Sequence, residues 1–161
     1  MFSQDQDNLE LLISRYQQRI FALVLNLIGG NRDKAYEVVA SSFVEAIRTI
    51  ASPWEGNIFL SQLAGIAVHK SRDVKIIPTS EEAEFMNFPP QERASLRIVK
   101  AALQKLPFDT KALLLLRDQL HLPYKDISSI LRVSQRNARR YITQARIRLR
   151  ENIEKILESG R

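Results

Sequence analysis

Leu122-Pro-Tyr-Lys-Asp-Ile-Ser-Ser-Ile-Leu-Arg-Val-Ser-Gln-Arg-Asn-Ala-Arg-Arg-Tyr-Ile-Thr-Gln-Ala-Arg146 is the stretch on which the fold turns. It reads as two short helices separated by a tight break. Tyr124 to Leu131 is the first, and Ser134 caps the second. Ile127, Ile130, Leu131 and Val133 supply apolar faces that lock the pair together. Along the second helix Ala138, Ile142, Ala145, Leu149, Ile153 and Ile156 fall on one stripe, which leaves Gln135, Arg136, Arg139 and Arg140 facing outward. In a helix-turn-helix the first helix braces against the DNA backbone, and the second presents its N-terminal side chains to base edges in the major groove. Arginine can bond guanine O6 and N7 with two parallel hydrogen bonds, and glutamine can do likewise with adenine. Arg139 and Arg140 are open to either role, base reading or phosphate grip. The alternative is a solvated face of an ordinary helix. Against it, Gln135 to Arg150 contains six arginines and no acid, whereas solvated faces usually mix signs.

Working outward, the Leu113 to Leu116 run belongs to a helix ending near Leu120, preceded by Pro107 and a short helix around Leu96 to Leu106. From Ile76 to Arg93 periodicity disappears and the composition turns to Pro78, Thr79, Ser80, Glu81, Glu82, Glu84, Pro89 and Pro90, as in a linker. Before it, Leu9, Ile13, Tyr16, Ile20, Val24 and Leu27 recur at three- and four-residue steps on a helix ending at Gly29-Gly30. Asn31 can cap the next helix, whose Ala35, Val38, Val39, Ser42, Phe43, Ala46 and Ile50 repeat the spacing until Ser52-Pro53. A third helix turns Phe59, Leu60, Leu63, Ile66 and Ala67 inward and ends in the basic set His69, Lys70, Arg72 and Lys75. No strand-like alternation occurs. The expected architecture is all-α, with two small helical domains at residues 1–75 and 94–161 joined by a flexible linker at 76–93.

Bulk properties narrow the partners. The 161 residues carry 24 Lys and Arg against 18 Asp and Glu, a net charge of +6, which favours an anionic partner such as nucleic acid or an acidic membrane surface. Absence of cysteine excludes disulfides and thiolate metal sites, and the two histidines, His69 and His121, lie too far apart in sequence to suggest zinc. No metal and no cofactor is expected. The opening Met1 to Asp7 is acidic and polar, unlike a signal peptide. The longest apolar run, Ile20 to Ile28, is broken by Asn26 and falls short of the ~20 residues needed to span a bilayer, so a cytoplasmic protein without membrane insertion is expected.

Together these segments resemble the extracytoplasmic-function (ECF) group of bacterial RNA polymerase sigma factors. Region four is matched by Ala102 to Pro107, Leu120 to Leu131, Val133-Ser134, Gln144-Ala145-Arg146 and Leu149-Arg150; Ser128 stands where the family usually has alanine. Region two is matched by Leu12, Tyr16, Ile28 to Asn31, Ala35, Val38, Val39, Phe43, Ala46, Leu63, Ile66-Ala67, His69 and Asp73. It differs at Tyr36 and Ala40, at Gln62 where the family has tryptophan, and at Val68-His69. The resemblance implies that core RNA polymerase, promoter DNA and an anti-sigma factor are partners. It places polymerase contact on Asp33, Glu37, Val38, Val39 and Phe43. Upstream-element contact falls to Lys125, Ser134, Gln135, Arg136, Asn137, Arg139, Arg140 and Arg146. Downstream-element contact falls to Trp54, His69, Lys70, Arg72 and Lys75. Trp54 has two readings, a wall for a flipped base or a cover for the helical core. The basic residues also have two, since cations at a helix C-terminus complement its dipole.

Three functions follow. The first is a promoter-specificity subunit with no chemistry of its own. The second is a sigma-like decoy that captures an anti-sigma factor, suggested by Tyr36, Ala40 and Gln62; the arginine face of the second domain, which a decoy has no need to keep, argues against it. The third is a plain helix-turn-helix regulator. An enzyme is disfavoured, because no triad-like spacing, glycine-rich phosphate loop or apolar carboxylate pair is present.

Overall fold

The first lobe is built from three helices whose three- and four-residue spacing is spent on one another. The structure, a computed structural model, describes residues 2–50, 56–74 and 88–160. Helix α1 (Phe2–Leu27) buries Leu12, Tyr16, Ile20, Leu23, Val24 and Leu27. It stops at Gly29 and Gly30, whose φ values of 85° and 92° lie where side-chain-bearing residues are strained. Asn31 then caps α2 (Arg32–Thr49), its side chain accepting the Lys34 N–H at 3.1 Å. Helix α2 buries Ala35, Val38, Val39, Ser42, Phe43 and Ala46, and the buried Ser42 hydroxyl donates to the Val38 carbonyl at 2.6 Å. Helix α3 (Gly56–Arg72) inserts Phe59, fully buried with its ring 6.4 Å from that of Tyr16, and adds Leu60, Leu63, Ala64, Ala67 and Val68. Ile66, expected inward, is only half-buried.

The second lobe begins earlier than its periodicity suggests. Helix α4 spans Pro90–Gln104, so Pro90 to Arg93, expected as linker, are helical. Pro90 occupies the first turn, where its fixed φ suits the helix and its missing N–H costs nothing, and Glu92 complements the positive end of the dipole. Helix α5 (Phe108–Leu114) follows Pro107 and continues unbroken into a π-helical turn over Leu115–Gln119, with the Leu120 N–H reaching the Leu115 carbonyl at 3.1 Å. Four successive leucines, Leu113 to Leu116, are all buried. No single stripe of a helix can hold four consecutive residues; they are buried because α5 and its π turn are covered from several sides. Helix α6 (Tyr124–Leu131) and helix α7 (Gln135–Ser159) cover it within the lobe, and α1 covers it from the other.

The two lobes are therefore packed on each other, and a single apolar core runs through both. The Arg19 guanidinium donates to the Leu120 carbonyl at 2.9 Å, and the Gln104 amide to the Asn26 carbonyl at 2.8 Å. Gln104 also accepts from Lys111, whose ammonium lies 2.9 Å from its Oε1 on a side chain almost wholly removed from water. Burial lowers the Lys111 pKa from the ordinary 10.5. The folded chain thus holds this proton less tightly than the unfolded chain does, and between the lowered value and 10.5 stability rises with pH. Lys111→Met is expected to abolish that rise. Urea titrations of both proteins from neutral pH to about 10 check it, and parallel curves would assign the pH dependence elsewhere.

Candidate nucleic-acid interface

The turn between α6 and α7 is closed by side chains as well as backbone. Arg132 leaves α6 in the left-handed region, at φ 55° and ψ 46°. The Val133 N–H returns to the Ser128 carbonyl at 3.1 Å, and the Ser128 hydroxyl donates to the Val133 carbonyl. Ser128 is thus a working part of the turn, where an alanine would leave the Val133 carbonyl without this donor. Ser134 caps α7, its Oγ accepting the Asn137 N–H at 3.0 Å. Ile127, Ala138, Ile142 and Ala145 are fully buried, which fixes the rotation of α7 about its axis.

That rotation leaves Gln135, Arg136, Arg139 and Arg140 exposed together, with Lys125 exposed on the first turn of α6. Tyr124 organises the edge of this surface, a role its sequence position did not reveal. The Arg117 guanidinium sits 4.2 Å from the Tyr124 ring centroid and that of Arg139 5.3 Å, while Arg140 lies 5.6 Å from the Tyr141 ring. The neighbouring arginines, left equivalent by sequence, are thereby separated: one leans on α6 and the other along α7. Arg146 is also exposed but has a partner within the protein. It forms a two-pronged ion pair with Asp118, Nε to Oδ2 at 3.1 Å, tying α7 to the π turn and raising the Arg146 pKa chiefly through that hydrogen bond.

Lobe one divides its expected residues less simply. Val38, Val39 and Phe43, placed at a protein contact by the family resemblance, are buried in the lobe core, as their three- and four-residue spacing on the inward stripe of α2 requires. The solvent-facing side carries Asp33, Tyr36, Glu37, Ala40 and Val44. Glu37 pairs with Lys34 at 3.1 Å, and the exposed Tyr36 ring packs 4.6 Å from that of Phe21, with Arg32 over the other ring at 5.5 Å. On α3, His69 is exposed, Lys70 pairs with Glu45 at 3.3 Å, and Arg72 pairs with Asp109 of lobe two at 2.7 Å. Trp54 and Lys75 lie outside the described residues. Among the described residues no cluster of three or more His, Asp or Glu is placed to hold a metal ion, and no helix is long and apolar enough to cross a membrane.

The family Sigma-70, region 4 matches residues 96–149, which spans α4 to the middle of α7. The ECF RNA polymerase sigma-E factor of Haemophilus influenzae is 27% identical over 174 residues, covering 95% of this chain and 91% of that protein. Among solved structures, the sigma factor RpoE of Bartonella quintana, crystallised with the anti-sigma factor NepR, has the same fold with a TM-score of 0.62 and 20% identity. That match covers 96% of this chain and 98% of the other.

Because the cap sets where α7 starts, Ser134→Ala is expected to destabilise the chain by about 0.5–2 kcal/mol, read as a lower midpoint of denaturation. Ser134→Asp, which restores an acceptor, is expected to recover most of the loss. Equal loss in both variants would show that the hydroxyl acts otherwise than as a cap.

Proposed function

The chain belongs to the ECF group of the sigma-70 family, and we propose from that premise how its surfaces divide the work of a promoter-specificity subunit. Lobe two, the residues from α4 onward, reads the upstream promoter element through α7. Gln135, Arg136, Arg139 and Arg140 supply base and phosphate contacts, Lys125 adds a phosphate contact from α6, and Ser134 and Asn137 present the start of the helix to the backbone. Arg146 joins them only where its pairing with Asp118 allows. The observation that carries this reading is the exposure of the four readers on one face of a capped helix whose opposite stripe, Ala138, Ile142 and Ala145, is buried.

Lobe one docks on core RNA polymerase through the solvent-facing side of α2, with Asp33, Tyr36 and Glu37 at the contact and Val38, Val39 and Phe43 as its support. Helix α3, with His69, Lys70 and Arg72, faces the downstream element, where strand opening takes place. Catalysis belongs to the polymerase, and no cofactor is required of this chain. The site of action is the cytoplasm. An anti-sigma factor is a further partner, a proposal supported by the fold shared with a sigma factor crystallised in such a complex.

Transcription in vitro with core polymerase and genomic DNA tests the reading. Discrete run-off starts that depend on this protein are the expected result, and binding to polymerase without any start would overturn it. Arg136→Ala is expected to weaken upstream-element binding by about 1–3 kcal/mol and to relax base preference at one position, measured by competition among mutated duplexes. Wild-type affinity and preference in both Arg136→Ala and Arg139→Ala would remove α7 from the role of reader.

A further inference from the structure

The Arg139 guanidinium has a support that its own helix does not supply. It lies 5.3 Å from the centroid of the Tyr124 ring, which belongs to the first residue of α6. That ring is itself held. Arg117, in the π turn, sets its guanidinium 4.2 Å from the same centroid and donates through Nη1 to the Leu122 carbonyl at 2.9 Å. Leu122 before Tyr124 and Ile127 after it are both buried, so the backbone that carries the ring is fixed as well. Arg140 is differently supported. Its ring is Tyr141, 5.6 Å away, exposed, and its immediate neighbour on α7. Two parallel hydrogen bonds to guanine require the guanidinium plane to be brought into the plane of the base pair, whereas a phosphate can be gripped from many directions. An arginine that already rests on a fixed ring loses less rotamer freedom on docking than one free to sweep.

We propose that Tyr124, held by Arg117, is a positioning residue for base reading: it aims Arg139 at one guanine of the upstream element, while Arg140 grips phosphate. Specificity at that base pair then depends on the π turn and the start of α6, through two side chains that need touch no base. Removing the ring leaves α7 in place, because its cap at Ser134 and its buried stripe do not involve Tyr124. Phosphate contacts from Arg140 and Lys125 survive, and what is lost is discrimination. This inference rests on the reading of α7 as the helix that enters the major groove, and it divides the work within that helix.

Holoenzyme assembled from core polymerase and the full-length chain, offered competing promoter duplexes mapped by its own run-off starts, tests the division. The wild type is expected to discriminate one guanine-cytosine pair of the upstream element and to lose affinity when that guanine becomes 7-deazaguanine, which lacks the N7 acceptor. Arg139→Ala is expected to lower discrimination at that pair about tenfold and to become indifferent to the deaza base. Arg140→Ala is expected to weaken every duplex alike and to reduce the slope of log affinity against log salt by about one. Tyr124→Leu is expected to reproduce the Arg139→Ala loss at the same pair with a wild-type salt slope, and Tyr124→Phe to keep the wild-type preference. Tyr124→Leu combined with Arg139→Ala is expected to lose no more discrimination than Arg139→Ala alone. A variant that is merely less stable weakens all duplexes together and leaves their ratio intact. Wild-type discrimination in Tyr124→Leu, beside relaxed discrimination in Arg139→Ala, would overturn the positioning role and leave α7 as the reader. Relaxation in Arg140→Ala instead of Arg139→Ala would overturn the division between them. If Arg136→Ala and Arg139→Ala both keep every preference, the reading of α7 itself falls. Should Tyr124→Leu fail to fold, Arg117→Met decides: reduced discrimination at the same pair supports the proposal, and unchanged discrimination overturns it.

Discussion

Burial of the leucine run in α5 is the constraint from which the rest of the architecture follows. Four successive leucines cannot share one stripe of a helix, so this stretch must be covered by neighbours on several sides. Lobe two covers most of it with α6 and α7, and α1 of lobe one closes the remainder. Once α1 is there, Arg19 and Gln104 fasten the seam through backbone carbonyls, and Lys111 is carried into the interior with a neutral amide as its partner. The lysine stem fills space in an apolar layer, while its head group is held out of water by a neutral partner at a cost that burial imposes.

The proposed DNA-facing side of lobe two shows the opposite economy, because its elements serve orientation. A buried stripe fixes rotation, a serine cap fixes the starting residue, and a second serine closes the turn that sets the angle between α6 and α7. Aromatic rings steer guanidinium groups that could otherwise sweep a wide arc. Reading bases requires such control, since two parallel hydrogen bonds to one base edge tolerate little rotation. Phosphate binding does not, and the exposed Lys125 carries no ring or carboxylate among the described contacts.

Sequence revealed most clearly what is set locally. Helix existence, the glycine stop after α1, the Asn31 and Ser134 caps and the inward stripe of α7 as far as Ala145 all follow from spacing and capping chemistry. The rest depends on partners distant in the chain. Periodicity puts Val38, Val39 and Phe43 on the inward side of α2, where they are buried, whereas the family resemblance marks a stretch of helix and does not separate its exposed residues from the buried ones that support them. Prolines mark both linkers and helix starts, and Pro90 is the latter. Neither the pairing of Arg146 with Asp118 nor the docking of α6 on α3 leaves any local trace in composition or spacing.

The separation of seam partners along the chain also bears on the order of assembly. Ser61 and Asp126 are 65 residues apart, and Arg19 and Leu120 are 101 apart, whereas each lobe is made of helices joined by short turns. Local helix pairs close quickly because little chain entropy is lost, and contacts across such spans come last. The lobes are thus expected to form before the seam between them closes, and that seam is the first boundary along which the native protein should open. Amide protons of α3 near Gly65 and of α6 near Ile130 would then exchange through a partial unfolding that leaves the centres of both lobes untouched.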